Sequence, residues 1–305
     1  MAARLIVNAD DFGLTHGINR AVAELHEAGA LTSATLMASG PAFDDAVAIA
    51  HAHPSLGVGC HVVLTDGMPV CHAETIPSLM GADGKTFRSS LLEFIAATLA
   101  GHINPDDVIR EGLAQVQRLQ RAGIDVTHLD THKHTHMLPA IAQPLLYVAE
   151  RAGIGAIRSP FEQSWSSGAG RPEPIRRLEV LLCDKLLAPR FRSLPQIRHN
   201  AVQTTDGTLG ISATGRLNRD TLAALLQRLP EDGIFELVCH PGYNDRDLDA
   251  VRTRLRVSRE IERQALLDCI PSLGPQLTHY GNLGNLGLLR ELGQHQPATG
   301  HERLT

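Results

Sequence analysis

The chain has 305 residues, 43% of them hydrophobic and 20% charged, with a formal net charge of −5 at pH 7. That apolar content supplies a sizeable core and excludes an intrinsically disordered chain. A mild acidic balance without a Lys/Arg run or an interleaved aromatic patch excludes a polyanion-binding surface, so no nucleic-acid partner is expected.

In chain order, short apolar runs alternate with amphipathic stretches. Residues 5–9 read as a strand that runs into Asp10-Asp11. Apolar residues at 18, 21, 22 and 25 mark a helix that stops at Gly29. Residues 33–37 form a second strand, 42–52 a helix between Pro41 and Pro54, and 57–64 a third strand carrying Gly59-Cys60-His61. Residues 105–122 form a helix that starts after Asn104, presents Ile109, Leu113, Val116 and Leu119 as one stripe, and stops at Gly123. A strand over 126–130 leads into a histidine-rich stretch, followed by a helix over 139–152 that ends at Gly153. Residues 156–158 are a further strand, and 164–174 read as a surface loop at the mouth of a site. Asn218 caps a helix over 218–229, and the strand 234–239 runs into His240-Pro241-Gly242. Weaker strand signals lie at 208–212 and 276–280.

This alternation predicts an α/β fold with a mostly parallel sheet and crossover helices. Seven or eight strand–helix repeats over roughly 250 residues fit a distorted (β/α) barrel of the TIM-barrel kind better than an open sheet. No linker interrupts the chain, so residues 1–292 read as a single domain and 293–305 as a polar, frayed tail. The five cysteines are scattered without a C-x-x-C spacing, which argues against a thiolate zinc site or a disulfide framework. No apolar run approaches the ~18 residues of a membrane span, so an integral membrane protein is not expected. The first apolar run meets two aspartates by position 10, leaving no room for a secretory core; a cytoplasmic location is expected.

In a parallel barrel the functional groups gather at the carboxyl ends of the strands. Asp10, Asp11, His61, His132 and His240 all fall at or just past such ends. Two imidazoles, from His61 and His132, and one aspartate would hold one divalent metal ion, Mg2+ or Zn2+, and leave positions open for water and substrate. The carboxylate that does not ligate can take a proton from the attacking water, and His240 can protonate a leaving amine. Arg158 follows another strand, where its guanidinium can orient a carboxylate and hold it ionised, or can form a surface salt bridge. Bland alternatives stand beside these readings: an Asp-Asp pair can cap a helix, His61 can be a core histidine, and His240 a turn residue. His128 reads as structural, while His134 and His136 can support the ligands, touch substrate or be hydrogen-bonded groups. Gly281-Asn282-Leu283-Gly284 is a turn rather than a dinucleotide fingerprint, and no P-loop occurs.

Four segments together carry a family resemblance: Asn8-Ala9-Asp10-Asp11-Phe12-Gly13, Gly59-Cys60-His61, His128-Leu129-Asp130-Thr131-His132-Lys133-His134-Thr135-His136 and Cys239-His240-Pro241-Gly242. In this order they resemble the YdjC-like carbohydrate deacetylases, which include chitooligosaccharide deacetylases and hopanoid-biosynthesis deacetylases. The resemblance implies a distorted (β/α) barrel related to polysaccharide deacetylases, and a divalent metal, commonly magnesium. It also implies hydrolysis of the N-acetyl group of an acetylated amino sugar, a small-molecule or glycolipid substrate. It assigns Asp11, His61 and His132 as metal ligands, Asp10 as general base, His240 as acid or oxyanion partner, and Arg158 as the brace of the catalytic aspartate. Lys133 stands where a histidine often follows the ligand in the chitooligosaccharide branch, and His-Lys-His resembles the hopanoid branch. A metallohydrolase of another amide or ester, or an inactive metal- or carbohydrate-binding protein, are the alternatives. A homodimer is expected only from the general prevalence of such assemblies.

Overall fold

The computed structural model describes residues 3–169 and 174–284. Seven parallel strands form its frame: β1 (Arg4–Phe12), β2 (Ser33–Leu36), β3 (Gly57–Val62), β4 (Leu129–Thr131), β5 (Gly207–Leu209), β6 (Ile234–Cys239) and β7 (Leu277–Thr278). They run in the order β4-β3-β2-β1-β6-β5, with β7 beside the first half of β1. The two edges, β4 and β5, are joined through residues 156–162: Leu129 bridges Ile157, and Thr208 bridges Glu162. The sheet therefore curls into an incompletely closed barrel, the distorted α/β barrel that the strand–helix alternation predicts. Residues 156–158, expected as a strand, make only isolated bridges, Ala156 to Gln203 and Ile157 to Leu129. Pro160 follows at once and has no N–H to extend a ladder.

The helices are α1 (His16–Glu27), α2 (Phe43–Ala52), α3 (Leu91–Leu99), α4 (Pro105–Arg121), α5 (Pro139–Ala152), α6 (Pro174–Arg192), α7 (Pro195–Arg198), α8 (Arg219–Leu226), α9 (Arg246–Asp249) and α10 (Val257–Cys269). Their starts follow local chemistry. Thr15, Asn104 and Asn218 each accept a hydrogen bond from a first-turn N–H, and Pro105 sits at the first helical position of α4. On α1 the predicted stripe Ile18, Ala21, Val22 and Leu25 is buried. On α4 the buried face is rotated from the predicted stripe and includes Glu111 and Gln115. These two bond the backbone N–H groups of Val63, Val70 and Cys71, tying the loop after β3 to the helix.

Helices α3, α6, α7, α9 and α10 are not expected from the sequence pattern. On α6 Ile175, Leu178, Leu182 and Leu186 are exposed, so apolar residues surround the axis and blur the 3.6-residue signal. Within the expected surface loop, Ser166 and Ser167 are instead fully buried and bonded to the chain just upstream. The expected tail, 293–305, lies outside the described residues.

Strand alternation sorts the side chains. Leu5, Val7, Ala9, Ala34, Leu36, Val58, Cys60, Val62, Leu129, Phe235, Leu237 and Cys239 belong to the main core beneath the helices. Residues of the other parity face the barrel interior. At its amino end Ile6 and Ile234 pack with Ala156, Tyr280 and Leu283 as a small separate apolar cluster. Above this floor the interior is polar.

Candidate active site and metal centre

A bulge in β1 builds the site. Ala9 pairs with Ala34 and Phe12 with Leu36, so β1 carries one residue more than β2 between the two pairs. The extra turn falls at Asp11, whose φ is +67°. Consecutive side chains of a regular strand point to opposite faces; the left-handed residue breaks that rule and lets both aspartates serve one cavity. Aspartate tolerates this conformation better than most non-glycine residues.

Ligand-type atoms of Asp11, His61 and His132 lie within 4.8 Å of one another. Asp11 Oδ1 is 3.7 Å from His61 Nε2 and 3.4 Å from His132 Nδ1. Atoms bound at 2.0–2.2 Å around one ion are separated by about 2.8–3.6 Å, from right-angle to tetrahedral arrangements, so a small inward adjustment of the side chains accommodates a divalent cation. His61 Nδ1 is held by Asp130 Oδ1 at 2.7 Å, which fixes the ring and leaves Nε2 facing Asp11. Burial opposes charge on His61, but Asp130, with Asp10 and Asp11, holds its imidazolium up to about 9. Burial likewise opposes ionisation of Asp11, yet the Arg259 guanidinium and His132 hold its carboxyl well below the usual range.

Asp10 has a separate set of partners. Arg158 donates Nη1 to Asp10 Oδ2 at 2.8 Å and Nη2 to Oδ1 at 2.6 Å. The same guanidinium lies 2.6 Å from Asp130 Oδ2 and donates Nε and Nη2 to Glu236 Oε1 at 2.8 and 2.7 Å. Arg158 is fully buried, so the surface salt bridge is excluded and the bracing role of its guanidinium fits. Against the cost of burial, Arg158, His61 and His240 hold Asp10 far below the ordinary carboxylate value. Two guanidiniums, Arg158 and Arg259, thus face four carboxylates: Asp10, Asp11, Asp130 and Glu236. The carboxylates outnumber the guanidiniums, an excess that a proton on His61 offsets in part and that a divalent cation in its place would offset further. His240 places Nε2 3.8 Å from Asp10 Oδ2, and its backbone N–H donates to Glu262 Oε2 at 2.7 Å.

The histidine-rich stretch divides. His132–Met137 is a short 3-10 segment in which Lys133 and His134 adopt φ of 58° and 52°. Lys133 Nζ bonds Asp66 Oδ2 at 2.7 Å and ties this segment to the loop after β3. His134 Nδ1 is buried with no hydrogen-bond partner among the described residues. His136 is held by Thr131 Oγ1 at 2.7 Å and by the Arg158 carbonyl at 3.2 Å, and burial pushes its pKa down to about 4. His128 is structural, as expected: its ring stacks on Tyr280 with centroids 3.8 Å apart. Gly59 makes room for that stack, since a Cβ there would lie 2.4 Å from the His128 imidazole.

A family model described as YdjC-like protein matches residues 4–270. The chain belongs to the YdjC-like family. A carbohydrate deacetylase of Brevibacillus brevis is 42% identical over 242 residues, covering 79% of this chain and 82% of the relative. One from Geobacillus stearothermophilus is 32% identical over 240 residues, covering 79% and 80%. A crystal structure from Enterococcus faecalis, described as a candidate cellobiose-phosphate cleavage protein, superposes with a TM-score of 0.71. It covers 93% of this chain and 99% of its own at 24% identity, and so shares the fold.

In this YdjC-like protein Asp10, Asp11, His61, His132, Arg158 and His240 come together as one cluster of side chains. Sequence reading left several partners unassigned. Asp130 stands two residues before His132 and Glu236 four before His240, so strand parity alone would have placed both facing inward. Arg259 and Glu262 lie on α10, far from the motifs, and no sequence pattern marked them. Tyr280, whose hydroxyl donates to Glu236 Oε2 at 2.5 Å, ends the weak strand signal over 276–280 and carries no motif of its own.

Proposed function

We propose that the protein is a metal-dependent carbohydrate deacetylase that hydrolyses the N-acetyl group of an acetylated amino sugar and releases acetate. The convergence of Asp11, His61 and His132 beside an Arg158-braced Asp10 carries this reading. The relatives' activity supports the reaction class. Asp11, His61 and His132 would hold the ion, which supplies Lewis acidity at the acetamide oxygen and lowers the pKa of the attacking water. Two imidazoles favour zinc by ligand softness, and magnesium is the alternative.

The remaining steps belong to the chain. Asp10, kept ionised by Arg158, accepts a proton from the water as its oxygen attacks the carbonyl carbon. His240, across from Asp10, delivers a proton to the amide nitrogen as the carbon–nitrogen bond breaks. Acetate and a free amino sugar result. The acetylated amino sugar is a chitooligosaccharide or a glucosaminyl glycolipid, and the His-Lys-His sequence at 132–134 resembles the branch that takes the second. The competing two-metal phosphoesterase reading is disfavoured, because the second group of Asp10, His61 and Asp130 shares His61 and is already paired with Arg158.

An acetate-release screen of metal-loaded protein against chitooligosaccharides and N-acetylglucosaminyl lipids tests this. Release from at least one class, absent in Asp10→Asn, is expected. No release from any member would end the deacetylase reading.

A further inference from the structure

The Asp11 carboxylate is divided between two neighbours. Oδ1 faces His61 and His132, at 3.7 and 3.4 Å. Oδ2 accepts a hydrogen bond from Arg259 Nη2 at 2.5 Å. Arg259 reaches in from the first turn of α10, is 1% exposed, and donates its other terminal nitrogen to the His240 carbonyl at 3.4 Å. Its Nε has no hydrogen-bond partner among the described residues. Burying a guanidinium this incompletely satisfied is costly, and a purely apolar contact would stabilise the fold at least as well.

Resting on the metal-dependent reading above, we propose that Arg259 is a positioning residue that keeps Asp11 a one-oxygen ligand. An aspartate beside a divalent cation can bind through one or both oxygens. The second oxygen would fill a coordination position that hydrolysis needs for water or for the acetamide oxygen. With Oδ2 committed to a planar, permanently charged guanidinium, the protein offers three atoms and the rest stay open. The left-handed backbone of Asp11 contributes by presenting the carboxylate between β3 and α10. Each of the adjacent aspartates thus has its own arginine: Arg158 orients the base, and Arg259 limits the ligand.

Co2+ is the probe. Metal-free wild type, Arg259→Gln and Arg259→Lys are titrated by calorimetry and visible absorption, with acetate release measured alongside. Arg259→Gln is expected to bind Co2+ within threefold of wild type or more tightly. Its visible band should lose half its intensity or more as the coordination number rises, and kcat should fall by about 100-fold. Arg259→Lys, which keeps a cationic donor, should return the wild-type spectrum. A Co2+ spectrum of Arg259→Gln superimposable on wild type would overturn the proposal. So would a loss of Co2+ affinity above tenfold, which would make Arg259 a general support of the pocket. If the variants do not fold, a crystal structure of Co2+-loaded wild type decides: two Asp11 oxygens on the ion overturn the proposal, and one upholds it. Failure of wild type itself to bind Co2+ would instead remove the metal-dependent reading.

Discussion

Arg158 grips Asp10 through a two-pronged contact, Nη1 on Oδ2 at 2.8 Å and Nη2 on Oδ1 at 2.6 Å, with both side chains buried in the barrel. That fork fixes the direction of the carboxylate and keeps it ionised at once. Lysine has the charge without the fork. Arg158→Lys is therefore expected to lower kcat by about 100-fold, and to move the acid limb of the kcat/KM profile to higher pH as Asp10 becomes easier to protonate. A pH–rate profile on any substrate that releases acetate checks this. An unmoved acid limb would mean that Asp10 is not the base.

The pair His61 and Asp130 makes a second, separable prediction. Asp130 Oδ1 holds His61 Nδ1 at 2.7 Å, fixing which nitrogen is free for the ion. Asp130→Asn keeps the shape and removes the charge. Metal affinity measured by calorimetry should fall about 10- to 100-fold, as is usual when the partner of a ligating imidazole is lost. Unchanged affinity would leave Asp130 as a neutraliser of Arg158 only.

How much of this was legible in the sequence follows from where each residue sits. The strand-end groups Asp10, His61, His132 and His240 were readable because apolar runs expose their own ends. The barrel was readable for the same reason, as strand and helix signals alternate through most of the chain. The bulge at Asp11 was not, because an extra residue in a strand leaves the apolar pattern nearly intact. Closure by residues 156–162 was also hidden, since single bridges beside Pro160 have no periodic signature. Arg259 shows a different limit. On α10 it reads as one more charged residue on a helix face, and only the packing of α10 against the end of β6 reveals that it is buried.

Metal removal should be visible in stability as well as activity. The interior carboxylates outnumber the two guanidiniums, so an ion that binds the folded state relieves repulsion that the unfolded chain lacks. At a free metal concentration of 100 times Kd the gain is ~2.7 kcal/mol, which raises Tm by several degrees. Calorimetric scans with metal and with chelator should differ by that amount for wild type. Asp11→Ala should abolish the difference. A shift that persists in Asp11→Ala would place the stabilising ion elsewhere.

The buried histidine above the apolar floor of the barrel predicts a pH dependence with a definite sign. His128 is fully buried, stacked on Tyr280 over Gly59, and burial pushes its pKa from 6.5 down to about 3. The unfolded chain takes up a proton there below 6.5, whereas the folded protein stays neutral until about 3. The unfolded state therefore binds more protons across this window, and stability falls as the pH drops. One such group contributes a slope of ~1.4 kcal/mol per pH unit. His128→Gln cannot take up that proton, so urea denaturation of metal-free protein between about pH 6 and about pH 4 should show a slope shallower by that amount. The comparison holds even if loss of the Tyr280 stack destabilises the variant at every pH, because only the slope reports proton uptake. Equal slopes would mean that folded His128 accepts a proton as readily as the unfolded chain, which requires water to reach the space above Gly59.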